Sequence, residues 1–147
     1  MKESIFDREG INKGIKQYQQ FLKKQINEEM ARADMAKEAE ERGYRKCDAQ
    51  ELVAQIGKMN VMAISGGRFE VRESGITLKV GHGYSVEIDL NFLDLYDVKR
   101  VYSRAGDRSV KGEVRDVYAH DIGDVAYYAS CYVNVAFGGK EWQEIVK

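Results

Sequence analysis

Asp116, His120, Asp121 and Asp124 form the densest group of acid–base side chains in the chain, within the stretch VRDVYAHDIGDVA. An imidazole among carboxylates can set an acid beside a base, or hold a divalent ion that polarises water. Either use describes a small metal-assisted hydrolase, and both require at least three of the four side chains to converge. The spacing fits neither a calcium-binding loop nor an HExxH helix. With two histidines in the chain, a histidine-rich zinc site cannot form within one subunit. The opposing expectation is a polar connection in which Asp121 or Asp124 caps or turns the backbone. His82, between Gly81 and Gly83, reads as a hairpin tip.

A second group is basic. Lys99, Arg100, Arg104, Arg108, Lys111 and Arg115 crowd a short stretch with Tyr102 inside it and Tyr118 beyond. Cations interleaved with aromatic rings can follow a nucleic-acid backbone and stack a base. Such an accessory nucleic-acid-binding role needs the basic side chains on one face and the neighbouring acids pointing away. Glu70, Glu87, Asp89, Asp94 and Asp97 belong to the same region, and the formal net charge of -1 supplies no global field for a polyanion.

The remaining reactive groups are isolated. Ser65-Gly66-Gly67 and Gly81-His82-Gly83 lack the spacing and following helix of phosphate loops, and Ser130 stands outside a GxSxG elbow. Cys47 and Cys131 are expected as reduced thiols in a cytoplasmic chain, with Cys131 a small buried hydrophobe. The inventory points away from enzymatic activity, and no cofactor is expected.

The elements that must position these groups divide near residue 60. Ile15, Tyr18, Leu22, Ile26, Met30, Ala33 and Ala36 recur at steps of three and four, which predicts one buried face of a long helix. Asn12 is the expected N-cap and Gly43 the C-cap. At 1.5 Å per residue, residues 12–42 reach about 45 Å, whereas a compact domain of this size is only about 35–40 Å across. The helix must therefore overhang, break, lie across its own sheet, or meet a second copy or another macromolecule. A shorter helix begins at Asp48, with Glu51 completing a capping box and Leu52, Val53, Ile56 and Met59 as its apolar face; Gly57 is able to end it early.

Beyond this, Val61 to Ile64 is a short apolar run closed by glycines. Phe69–Val71, Ile76–Val80, Tyr84–Leu90, Val98–Ser103 and Val110–Tyr118 alternate as half-buried strands do. Asn91–Tyr96 reads as a helical turn. The run VAYYASCYVNVAF, from Val125 to Phe137, is assigned to a buried central strand, with a short helix over 126–132 as the alternative. Trp142 and Ile145 are expected to clamp the C-terminus.

The reading is a single α+β domain over 1–147, with a helical layer at 11–59 and a sheet-rich part at 60–147. A long helix and a shorter one pack on a mainly antiparallel sheet of about five to seven strands. The 44% hydrophobic and 32% charged composition is that of a folded, soluble protein, and no segment is apolar enough to span a membrane. Function is expected to be non-catalytic protein interaction through Tyr18, Leu22, Ile26 and Met30, with a protein partner or a homodimer. Nucleic-acid binding and metal-assisted hydrolysis are the alternatives.

Overall fold

The structure, a computed structural model, describes residues 8–131 and 137–139, with side chains from residue 12 onward. Trp142, Ile145 and residues 132–136 of the apolar run lie outside the described residues. The chain forms α1 (Arg8–Arg42), α2 (Ala49–Ile56), α3 (Lys58–Ser65), β1 (Glu70–Val71), β2 (Gly75–Gly81), β3 (Tyr84–Leu90), β4 (Tyr96–Arg104), β5 (Asp107–Val117) and α4 (Ile122–Ser130). The five strands make one antiparallel meander in the order β1-β2-β3-β4-β5. This is the α+β architecture expected from the change of periodicity near residue 60.

Strand alternation sends every second side chain to the same face. Ile76 pairs with Ile88, Leu78 with Val86 and Ile88 with Val98, so apolar residues from three strands share one side. They are fully buried in a core completed by Leu52 and Ile56 of α2, Val61 and Ile64 of α3, and Ile122, Val125, Ala126 and Ala129 of α4. On the other side Thr77 pairs with Glu87, Glu87 with Lys99 and Lys99 with Glu113. This second face is covered by the C-terminal part of α1 around Lys99 and Glu113, and by Arg72 at Thr77.

The helical layer extends further than expected. Asp48 accepts bonds from the backbone of Gln50 and Glu51 and starts α2 as an N-cap. Gly57, at φ +95, ends α2 and opens α3. Asn60 donates to the Ile56 carbonyl at 2.9 Å and satisfies an acceptor that the break exposes. Val61 to Ile64 is thus helical, because Val61 and Ile64 lie three apart on a face that packs inward. Asn12 is not an N-cap, since α1 is already helical at Arg8. Gly43 does close α1 at φ +66, with Tyr44 N–H donating to the Ala39 carbonyl at 2.9 Å.

The strand assigned to Val125–Phe137 is overturned for its first part, which is α4. Ile122, Val125, Ala126 and Ala129 fall on one helical face and are buried. A tertiary contact holds the end of this helix. Arg100 extends from β4 and donates to the carbonyls of Ala129 at 2.7 Å, Tyr128 at 3.0 Å and Cys131 at 3.1 Å. A cation on the last carbonyls satisfies orphan acceptors and complements the helix dipole. Gly123 permits the close approach of α4 to α2, since a Cβ there would stand 2.5 Å from the Ile56 carbonyl oxygen.

Candidate functional site

The long helix has two faces, and its burial separates them. Asn27, Ala31, Met35, Glu38 and Arg42 are partly buried, at steps of four, four, three and four. This is a helical stripe of its own, and it faces the sheet. At 100° per residue it lies about 160° around the helix from the Ile15, Tyr18, Leu22, Ile26, Met30 and Ala33 stripe. The apolar stripe therefore points away from the body. Tyr18 is 63% exposed, Met30 61%, Ile26 55%, Ile15 50% and Leu22 38%. The sequence expectation that this stripe is the buried intramolecular face is corrected: it is the outer face of α1.

Polar chemistry attaches the inner face. Glu38 receives the Lys99 ammonium at 2.6 Å and Arg108 at 3.2 Å. Arg108 also grips Glu87 through two donors, at 2.6 and 2.8 Å. Burial works against the Arg108 charge, but its bonds to Glu87 and Glu38 prevail and hold its pKa above the ordinary value. Lys99, at 1% exposure, donates to the Tyr44 hydroxyl at 2.8 Å and sits 4.8 Å above the Tyr44 ring centre. Tyr44 in turn has its pKa raised, first by burial and then by the nearby Asp89 and Asp97 charges, so it stays a neutral phenol.

One turn further on, Arg42 pairs with Glu113, which also receives Arg115. Burial pushes the Glu113 carboxyl up, but the two guanidiniums outweigh it and hold it below the usual carboxylate range. At the other end, Asn27 donates to the Ala105 carbonyl of the β4–β5 turn. Gly106, at φ +86, is needed there because a Cβ would come within 2.0 Å of the Asn27 Cβ. The helix is thus held from Asn27 to Arg42. No contact to the body is described for its earlier residues, apart from an open groove lined by Gln20, Lys23, Lys24, Asn27, Glu28, Ala105 and Gly106.

This network accounts for most of the basic hairpin. Lys99 and Arg108 face α1 in ion pairs, Arg100 caps α4, and Arg115 is engaged by Glu113. Lys111 lies 5.9 Å from the Tyr102 ring centre, and Tyr102 packs against Tyr84 at 4.9 Å. Arg104 remains exposed. Lys99 and Arg100 occupy opposite sheet faces, because they are consecutive in a strand. The single converging basic face that nucleic-acid binding requires is not assembled by these residues.

The acid–base group does not converge either. Asp116 accepts from Asn91 at 2.9 Å, while His120 and Asp121 lie in the exposed β5–α4 turn, 3.3 Å apart. His120 stacks on Tyr118 at 5.6 Å. Asp121 occupies the α4 N-cap position without a side-chain cap bond, and Asp124 is in the first helical turn, exposed. Among the described residues no group of three or more histidine, cysteine, aspartate or glutamate side chains is placed to hold a metal ion. The physical reason is a change of element: Asp116 belongs to a strand, His120 and Asp121 to a turn, and Asp124 to a helix.

The thiols are both free and partly buried. Burial, followed by the charges of Asp48, Asp89 and Glu51, pushes the Cys47 thiol up, which disfavours the nucleophilic thiolate. Cys131 is not fully buried: it ends α4, with its thiol 3.4 Å from the Tyr127 carbonyl. A hollow between β1 and β2 is lined by Ser65, Arg68, Glu70, Thr77 and Lys79 among others. Its Glu70 and Lys79 pair at 2.7 Å, and Ser65 is bonded to the Val61 carbonyl.

The inner-face residues Glu38 and Arg42 escaped the sequence reading, although the spacing of Asn27, Ala31, Met35, Glu38 and Arg42 carried the signal. Within the described residues no helix is long and apolar enough to cross a membrane. No family model matches the chain, and no curated protein or solved structure matches it.

Proposed function

We propose that this protein is a non-catalytic interaction module that recognises a protein partner through the outer face of α1. The observation that carries the reading is the exposure of Tyr18, Leu22, Ile26 and Met30 on the side of the helix turned away from the sheet. Large apolar side chains aligned along one helix are a common means of protein recognition, in which buried area supplies affinity and flanking charges set orientation. The ion pairs around Glu38 and Glu113 support this role by fixing the inner side of α1 to the sheet, which keeps the apolar stripe turned outward.

The test is a Leu22→Glu, Ile26→Glu variant compared with the natural chain. Immobilised on a support, the natural chain retains protein partners from its source cell or further copies of itself, and the variant does not. Circular dichroism and the thermal midpoint stay unchanged in the variant. Unfolding by the double substitution, or equal retention by both proteins, overturns the reading.

A further inference from the structure

The outer face of α1 is electrically polarised along its length. Residues 12–26 carry Lys13, Lys16, Lys23 and Lys24 and no acid, whereas residues 27–42 carry six acids against three bases. Glu38 and Arg42 are turned toward the sheet and cancel each other in this count. Lys13, Lys24 and Glu28 fall on the sheet side of the helix, so the outer face and its edges carry Lys16 and Lys23 in the first half and Glu29, Asp34, Glu40 and Glu41 against Arg32 and Lys37 in the second, with the apolar stripe continuous across both.

Resting on the reading above, we propose that the partner is a second copy of this chain, with the two α1 helices paired antiparallel about a two-fold axis near residues 28 and 29. Lys16 and Asp34 are about five helical turns apart, as are Lys23 and Glu41, so all four share one edge of the apolar stripe. All four are exposed. In an antiparallel pair like edges meet, and charges flanking the seam choose orientation. The axis that sets Lys16 of each copy against Glu41 of the other also sets Lys23 against Asp34. A single axis satisfies both charge pairs.

Packing along the same axis is complementary. Leu22 of one copy falls over Ala33 and Ala36 of the other, large against small, and Ile26 falls beside Met30. A parallel arrangement would instead leave Lys16 and Lys23 of each copy level with those of the other, out of reach of Asp34 and Glu41. The folded bodies do not obstruct the pair, because each lies on the far side of its own helix. Such a dimer is isologous and closed, with each copy burying the same stripe.

The experiment is light scattering and sedimentation of the full chain over a concentration series, with charge-reversed variants. The natural chain is expected to be a dimer. Lys16→Glu with Lys23→Glu raises the dissociation constant at least about tenfold, which corresponds to a 1.4 kcal/mol loss. Adding Asp34→Lys and Glu41→Lys in the same chain restores dimerisation. These positions are exposed, so an unchanged thermal midpoint in the dilute monomer confirms that each variant folds.

Unchanged association of the Lys16→Glu, Lys23→Glu variant overturns the antiparallel arrangement, because only that arrangement sets these positions against Asp34 and Glu41. A natural chain that is monomeric throughout the series overturns self-association altogether. If that monomer still retains another protein in a manner lost with Leu22→Glu, Ile26→Glu, this proposal fails while the interaction reading stands. If it retains nothing, both fail.

Discussion

Under α2, α3 and α4 the sheet presents Ile76, Leu78, Val86, Ile88 and Val98; under α1 it presents Glu87, Lys99, Arg108 and Glu113. Both faces are buried, yet they are held by different physics. The first is an apolar core, where adhesion follows area removed from water. The second is a layer of charges that are tolerable only because each has a partner, as Lys99 has Glu38 and Arg108 has Glu87. The difference explains the orientation of α1. The one apolar sheet face is already covered, so the helix meets the remaining face with its polar side and leaves its apolar stripe to water.

The largest expected effect separates two leucines. Leu52→Ala, in the core under the sheet, should destabilise the chain by about 2–5 kcal/mol through lost transfer energy and a cavity. Leu22→Ala should change the dilute monomer by less than about 0.5 kcal/mol, since it leaves no cavity. Urea unfolding of both variants measures the contrast, and equal losses would place the α1 stripe inside the core.

A smaller effect addresses the charged face. Lys99→Met removes the ammonium between Glu38 and Tyr44 and leaves Glu38 with less compensation. The expected cost is about 2–3 kcal/mol, below that of an isolated buried pair because Arg108 still reaches Glu38. Amide exchange should show opening concentrated in residues 27–42, while the amides of β2 and β3 retain their protection. Uniform opening would mean that the polar face and the core are one cooperative unit.

The smallest effect is a pH dependence. Glu113 titrates below the ordinary carboxylate range in the folded chain, so the unfolded chain takes up its proton first as pH falls. Its stabilising contribution is whole above the unfolded carboxylate value, about pH 5 and upward, and is lost as pH drops through the lowered folded value. Glu113→Gln should cost about 1 kcal/mol near neutrality. The stability curves of the two proteins should converge in acid; a constant difference down to the lowest pH would remove Glu113 as the titrating contact.

How much of this was legible beforehand differs by element. The strands from Ile76 to Val117 showed in their alternation, because a sheet with one apolar face leaves a period of two in the sequence. The existence of α1 showed equally well. Its docking did not: the Ile15 to Ala36 stripe marks an apolar helical face without stating what covers it. The basic run at 99–115 looked like a patch because sequence proximity conceals that Lys99 and Arg100 leave opposite sides of a strand.

What the sequence by itself determined is therefore the local and periodic part: a long helix closed at Gly43, a shorter one capped by Asp48, and an antiparallel meander with glycine turns. The α4 segment was ambiguous locally, since a short apolar run suits either a strand or a helix. It is a helix here because its Ile122, Val125, Ala126 and Ala129 face reaches the core and Arg100, from β4, caps its end. Only the tertiary structure decided which side of α1 meets the sheet. That choice depends on matching charges distant in sequence, Glu38 to Lys99 and Arg42 to Glu113, and on an apolar sheet face already covered by other helices. Neither condition is written in the periodicity of the helix itself.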